Sequence, residues 1–350
     1  MYLVVVLLVS LFVYEPVVIA EELDMSLQVG LDDEITTRSQ YITFDVFAKI
    51  NGEKAENKEV SVTNNGKDVP INWSDPAKTS YTVTLEEGTN ELVIAMKAGN
   101  RIVQETSYIE YSPAAIGEVI GEYILSMDAA VGGLGYLIEP KVLPIINGDN
   151  AAHHIVRALE EENFTFHNTG YIDNNFYLGT VFGGNLEEKT DYTFPEAIVE
   201  AAATNEFELR YDFSPENGLG EFMLSGGSGW MYAVNNVFPN VGFADYYLLD
   251  GDVMRVQFTL NLGYDLGGGD PTFAAGHNFF PIVTKDMLTT KVARINNSAL
   301  YDELQQHDTL FEAYERAYNM LLHVNPTQHE IDEVEHALSD AYMQTLNELI

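Results

Sequence analysis

The chain changes its hydrophobic rhythm twice, and each change predicts a different kind of structure. Between residues 25 and 112 apolar positions recur every second residue: Tyr41-Ile42-Thr43-Phe44-Asp45-Val46-Phe47-Ala48, Val60-Ser61-Val62, Tyr81-Thr82-Val83-Thr84-Leu85 and Leu92-Val93-Ile94-Ala95-Met96. A period of two buries one face of a strand. Turn residues punctuate these runs at Asn51-Gly52, Asn65-Gly66, Glu87-Gly88 and Gly99-Asn100. Short strands separated by turns every ~8–12 residues predict an antiparallel β-sandwich.

Residues 113–270 mix the two periods. Asp149-Asn150 is placed to cap a helix whose apolar residues Ala152, Ile155, Val156 and Leu159 fall on one face. That helix closes on Glu160-Glu161-Glu162-Asn163, a poor ending because carboxylates oppose the dipole at a helix C-terminus. Thr193-Phe194-Pro195-Glu196 has capping-box spacing and opens an Ala-rich helix to about Thr204. From Glu206 to Leu262 the pattern returns to strands. Here Gly226-Gly227-Ser228-Gly229-Trp230-Met231-Tyr232-Ala233-Val234 leads into the turn Asn235-Asn236, and Leu249-Asp250-Gly251-Asp252 makes a second turn. Trp230, Tyr232 and Val234 share one strand face, which is either an aromatic recognition surface or core beneath the helix.

From about Lys285 the period becomes helical. Phe311, Tyr314, Ala317, Tyr318 and Leu321 form one apolar stripe; Ile331, Val334, Leu338, Ala341 and Met343 to Leu346 form another. Pro326 ends the first of these helices, and Thr327 with Glu330 makes a capping box for the second. The expected fold is therefore multidomain: an all-β sandwich over 25–112, an α+β domain over 113–270 and a small helical bundle over 284–350.

The first twenty residues stand apart. Leu3 to Ala20 is an apolar run broken by Glu15 and Pro16, with a small residue at its end before Glu21-Glu22. This predicts a signal peptide over 1–20 cleaved near Ala20, and so an extracellular, secreted or surface-associated protein. Glu15 disfavours a spanning helix, and no second run reaches the ~18 apolar residues such a helix needs. No membrane insertion of the mature chain is expected.

Composition narrows the partners. Among 350 residues, 54 acidic side chains face 17 basic ones, a net charge of −37. Such a surface repels phosphate backbones, so nucleic acid is set aside. The chain has no cysteine, which removes disulfides, thiolate metal sites and cysteine nucleophiles. Catalytic signatures fail one by one. Gly226-Gly227-Ser228-Gly229-Trp230 misses the nucleophile elbow because Trp230 stands where its last glycine belongs. His153 and His154 are adjacent on a helix and point apart, and His329 and His336 lack the zinc spacing of four. Gly267-Gly268-Gly269 reads as a linker. Asp265 and Asp270 have the chemistry to share a Ca²⁺, at a spacing that is not an EF-hand's. No catalytic residue, no metal ligand and no cofactor is expected.

Three resemblances add to this reading. Gly135-Tyr136-Leu137-Ile138-Glu139-Pro140-Lys141-Val142, the turn at Asn147-Gly148, the Trp230 segment and Phe258-Thr259-Leu260-Asn261-Leu262-Gly263-Tyr264-Asp265-Leu266-Gly267 together resemble bacterial relatives of the transcobalamin C-terminal (β) domain. Residues 186–209 look like an insertion in that pattern. Leu85-Glu86-Glu87-Gly88-Thr89-Asn90-Glu91-Leu92-Val93-Ile94 resembles the late hairpin of bacterial immunoglobulin-like and cadherin-like modules. The segment around Asn325-Pro326-Thr327-Gln328 is similar to the FIVAR module of bacterial surface proteins. These resemblances imply a modular non-catalytic protein that binds a small-molecule or cell-surface ligand. They place ligand contacts at Trp230, Tyr232, Asn235, Phe238, Pro239 and Tyr246. Cobalamin is the alternative ligand, although the large helical barrel that completes the carriers' clamp is missing here.

Overall fold

The structure, a computed structural model, describes residues 23–349 except 75, 240, 267–277, 300 and 305. The expected signal peptide and Asp270 lie outside the described residues. Among the described residues the protein is mostly β-sheet, in four sheets, and most of its helical residues follow the last strand.

Ten strands build the first part: β1 Met25–Val29, β2 Glu34–Thr37, β3 Tyr41–Ile50, β4 Glu53–Lys54, β5 Val60–Asn64, β6 Lys67–Asp68, β7 Ile71–Ser74, β8 Thr79–Thr84, β9 Gly88–Ala98 and β10 Arg101–Tyr111. One sheet runs β1-β3-β8-β7 with β4 on β3; the other runs β2-β10-β9-β5-β6. The alternation read in sequence becomes packing: Ile42, Phe44 and Val46 of the first sheet share one core with Leu92, Ile94 and Met96 of the second. All pairings are antiparallel except β2 on β10, which is parallel. Two sheets with a common buried face make a sandwich.

The central part is organised by a four-stranded sheet, β12-β11-β17-β16, from β11 Val119–Asp128, β12 Tyr136–Ile146, β16 Gly229–Val234 and β17 Val253–Thr259. A smaller sheet holds β13 Phe164–Tyr171, β14 Asn174–Gly183 and β15 Leu219–Gly220. Both faces of β11 are covered. Tyr123, Leu125 and Met127 enter the main core with α1 (Ala151–Glu161), whereas Ile124 packs against Ala293 of α3 (Asp286–Asn296) on the other face. Strands covered on both faces read as continuous apolar runs rather than alternations.

Asn150 caps α1 by accepting from the His153 N–H. The acidic end of α1 is tolerated because Lys141 of the neighbouring strand pairs with Glu162. The helix α2 (Glu196–Thr204) begins where expected, but without the capping box: Pro195 is its N-cap and no side chain caps it. Proline at that position fixes the backbone for helix entry, so the Thr193 hydroxyl is not needed. Residues 206–218 are largely irregular rather than strand.

After α3 come α4 (Tyr301–Leu304), α5 (Asp308–Leu322) and α6 (Gln328–Leu349). The Thr327–Glu330 box forms: the Thr327 N–H donates to the Glu330 carboxylate at 2.8 Å, and the Glu330 N–H donates to the Thr327 hydroxyl at 3.2 Å. The stripes shift slightly from expectation. Phe311 and Met343 are exposed, and Leu310 and Ala313 replace Phe311 in the core. The bundle packs against the sheet near Tyr136, which rotates the buried arc by one residue. Among the described residues no helix is long and apolar enough to cross a membrane.

His154 gives a pH test of the central core. Its ring is buried against Tyr123, and burial pushes its pKa down to about 4, with Arg157 beside it acting in the same direction. The folded state therefore holds it neutral while the unfolded state takes up a proton between about pH 6.5 and 4. Its contribution is complete above pH 6.5 and is lost as pH falls through that window. Urea unfolding at pH 7 and at pH 4 should show a loss of about 3 kcal/mol that His154→Phe removes. Equal pH dependence in the two proteins would refute it.

Candidate functional site

The hairpin of β16 and β17 carries the candidate residues and connects the three parts of the protein. β16 ends in a tight turn that begins the long connection to β17: Asn235 and Asn236 both have positive φ, at 50° and 63°, and Val234 and Val237 exchange both backbone hydrogen bonds. Asparagine tolerates this left-handed backbone better than most residues, which explains the Asn-Asn pair.

Trp230 and Tyr232 are core. Trp230 is 5% exposed, packs edge-on against Phe258 and donates its Nε1–H to the Leu219 carbonyl at 3.0 Å. The Tyr232 ring stacks on Phe243 at 4.1 Å, and its hydroxyl donates to the Val241 carbonyl at 2.9 Å. Burial raises the Tyr232 phenol well above its ordinary pKa. Of the two readings of this face, the structure selects the core.

Phe238, Pro239 and Tyr246 are half-buried. Phe238 lies on the joint with the sandwich, where its carbonyl accepts from Lys78 Nζ at 2.6 Å. Lys78 is itself buried and pairs with Asp45 at 2.8 Å. Tyr41 stacks on Tyr247 across the same joint, with ring centroids 4.6 Å apart. Tyr246 packs edge-on to Tyr232, and its carbonyl accepts the Ala151 N–H at the start of α1. The joint is thus crossed by the Lys78 contact to the Phe238 carbonyl, with Asp45 of the sandwich holding the lysine, and by a ring stack.

Asn235 opens on a cavity. Together with Leu249 and Asp252 it forms one wall of a cleft of about 430 Å³, and the sandwich residues Leu31, Ile35 and Thr36 form the facing wall. Asn235 Nδ2 donates to Asp252 Oδ1 at 2.7 Å, and the Leu249 N–H donates to Asp252 Oδ2 at 2.8 Å. Asp252 is 6% exposed, and burial raises its pKa to about 6 against those two hydrogen bonds.

Asn236 points the other way, into a layer of charges that sequence reasoning missed. The alternation that sends Leu125 and Met127 into the main core sends Asp128 to the opposite face, beside Gln257 and two pairs along from Arg255. Arg255 donates to Asp286 at 3.0 Å and to Asn236 at 2.7 Å. Lys285 Nζ donates to the carbonyls of Leu321 and His323, both at 2.7 Å, at the end of α5. Burial lowers the Lys285 pKa to about 7 and raises those of Asp128 and Asp286. These groups surround a cavity of about 50 Å³, room for little more than water. Their donors and acceptors are spent on one another and on helix ends, so the layer fastens the bundle to the sheet. One signal was legible: Arg255 is a lone charge within an apolar strand.

The remaining chemistry candidates are structural. His153 Nδ1 lies 2.9 Å from Asn150 Oδ1 while His154 turns into the core, so the pair diverges. Asp265 is buried and accepts from the Leu260 N–H at 2.7 Å and from the Thr259 hydroxyl at 2.5 Å, fixing the turn after β17. Its carboxylate is engaged by that turn and borders the small cavity beside Arg255 and Lys285. Ser228 is buried and braces the Leu224–Ser225 backbone.

No family model matches the sequence, and no curated protein matches it. Among solved structures, similarity is found to an FMN-binding β-glucuronidase from Facaelibacterium prausnitzii L2-6, at 17% identity over 26% of this chain and 12% of that one, with a TM-score of 0.19. The chain thus spans about an eighth of that enzyme. A chimeric titin Z1Z2 carrying a decorin KLER peptide matches at 12% identity over 27% of this chain and 99% of that one, with a TM-score of 0.20. Titin Z1Z2 in complex with telethonin matches at 10% identity over 67% and 95%, with a TM-score of 0.19. Similarities this distant carry no argument about family or function.

Proposed function

We propose that this is a modular, non-catalytic binding protein of the cell exterior, secreted or surface-associated, that holds its ligand in the cleft between sandwich and central sheet. The observation that carries this reading is the cleft itself. It is an open cavity with one wall from each of two separately cored parts, and ligand sites favour such junctions. The joint beside it is fixed by Lys78, Asp45 and Phe238, so the two walls are held in place before any ligand arrives. The sandwich would serve as an immunoglobulin-like or cadherin-like platform, the central part as a transcobalamin-β-like domain and the bundle as a FIVAR-like surface module.

Corrinoid capture is the second reading. It is favoured by the position of the Trp230 strand, which leads directly into Asn235 at the cleft. Since Trp230 and Tyr232 are core, corrinoid contact would fall to Asn235 and the loop around Phe238 and Pro239. Equilibrium dialysis of the purified chain against cyanocobalamin, and against solubilised cell-wall polysaccharide, separates the readings. Retention of a probe, recovered with unchanged mass, would support the binding role. Chemical conversion of either probe would contradict a non-catalytic role. No retention of cyanocobalamin at high micromolar concentration would remove corrinoid capture by the isolated chain.

A further inference from the structure

The chemistry of the cleft narrows what it can hold. Asp252 is a buried carboxylate, and its two hydrogen bonds come from neutral donors, the Asn235 amide and the Leu249 N–H. Among the described residues no ion pair includes it. Buried carboxylates are normally matched by a positive group, because an uncompensated charge in a poorly solvated place is costly. The other ionisable side chains on the cleft, Asp32 and Asp250, carry the same sign. Asp250 is partly engaged, since its Oδ1 accepts the Glu122 N–H at 2.8 Å. Beside these carboxylates lie Leu31 and Ile35 on the sandwich wall and Leu249 on the other wall, each only partly buried.

We propose that the cleft binds a small organic cation, with an ammonium group against Asp252 and Asp32 and a short apolar body along Leu31, Ile35 and Leu249. The inference rests on the cleft being the binding site, and it names the ligand class of that site. Charge sign selects against anions: the chain carries −37 overall, and the ionisable side chains lining the cleft are three carboxylates. The apolar side chains select against bare metal ions and ammonia, which gain nothing from them. Among the described residues no group of three metal-ligating side chains is placed to hold a metal ion. A cavity of about 430 Å³ suits a small molecule.

The test is calorimetric titration of the chain with hexylamine, hexanol, hexanoate and ammonium chloride in 0.15 M NaCl, which screens general counterion attraction. Hexylamine is expected to bind saturably, with hexanol, hexanoate and ammonium at least about tenfold weaker, the factor expected for one lost charge-assisted contact. Asp252→Asn should weaken hexylamine by a similar factor. Asp32→Asn is an exposed change that leaves folding intact, and it should weaken hexylamine about threefold. Thr36→Trp, placed on an exposed rim position, should block the cleft. Hexanol binding as tightly as hexylamine, or hexylamine affinity unmoved by both aspartate variants, would overturn the cation assignment. If Thr36→Trp then still abolished binding, the cleft would stand as the site and only the ligand class would fall. Hexylamine binding indifferent to Thr36→Trp, or no binding up to ~10 mM, would overturn the assignment of the cleft to an amine outright.

Discussion

Arg255→Met should lower stability by about 3–5 kcal/mol, the loss expected when one partner of a buried ion pair is removed. The guanidinium joins Asp286 at the start of α3 to Asn236 in the hairpin turn, with Asp128 nearby. Methionine fills the volume but leaves the Asp286 carboxylate, 15% exposed, without a counter-charge. The bundle should loosen first, because Arg255 of the sheet holds Asp286 at the start of α3. Urea unfolding followed by hydrogen exchange of α3 would read both effects. The double variant Arg255→Met with Asp286→Leu should recover much of the loss, since an apolar replacement of both partners removes the stranded charge. A single variant within about 1 kcal/mol of the parent would mean the layer does not hold the bundle.

Trp230→Ala is expected to cost a similar amount, about 3–5 kcal/mol, through the cavity it leaves against Phe258 and the unpaired Leu219 carbonyl. Trp230→Phe keeps most of the packing and should cost less than half of that. Binding of hexylamine at the cleft should survive in Trp230→Phe, because the indole lies in the core and not on the cleft. Unchanged stability together with lost binding would return Trp230 to the role that the family resemblance implied. The distinction matters because the same segment supports two different functional expectations.

Legibility in the sequence followed solvent exposure. The sandwich strands could be read because each has one wet face, so Tyr41–Ala48 and Leu92–Met96 alternate visibly. The Thr327–Glu330 cap could be read because its geometry is local, within four residues. What resisted reading depends on contacts between distant parts of the chain. β11 and β17 are covered on both faces, so alternation could not show that Asp128 and Arg255 face α3 rather than the main core. Lys78 meets Phe238 across 160 residues, and no local pattern announces it. Phe311 and Met343 fit their stripes by spacing, yet the packing angle of the bundle leaves them outside. Of the six residues at which the resemblance implies ligand contacts, Asn235 is a turn residue, and its turn geometry is what carries it to the cleft. Trp230 and Tyr232 are aromatic, and aromatic bulk serves a core as readily as a ligand.

The proposed binding site is the cleft between Leu31 and Leu249. Amide correlation spectra of the ¹⁵N-labelled chain, titrated with hexylamine, test it most directly. Shifts should concentrate in two stretches far apart in sequence, residues 30–37 of the sandwich and residues 249–252 with Asn235 of the central hairpin, and they should saturate together. Shifts confined to one wall, or centred on the Phe258 and Phe243 surroundings of Trp230 and Tyr232, would contradict it.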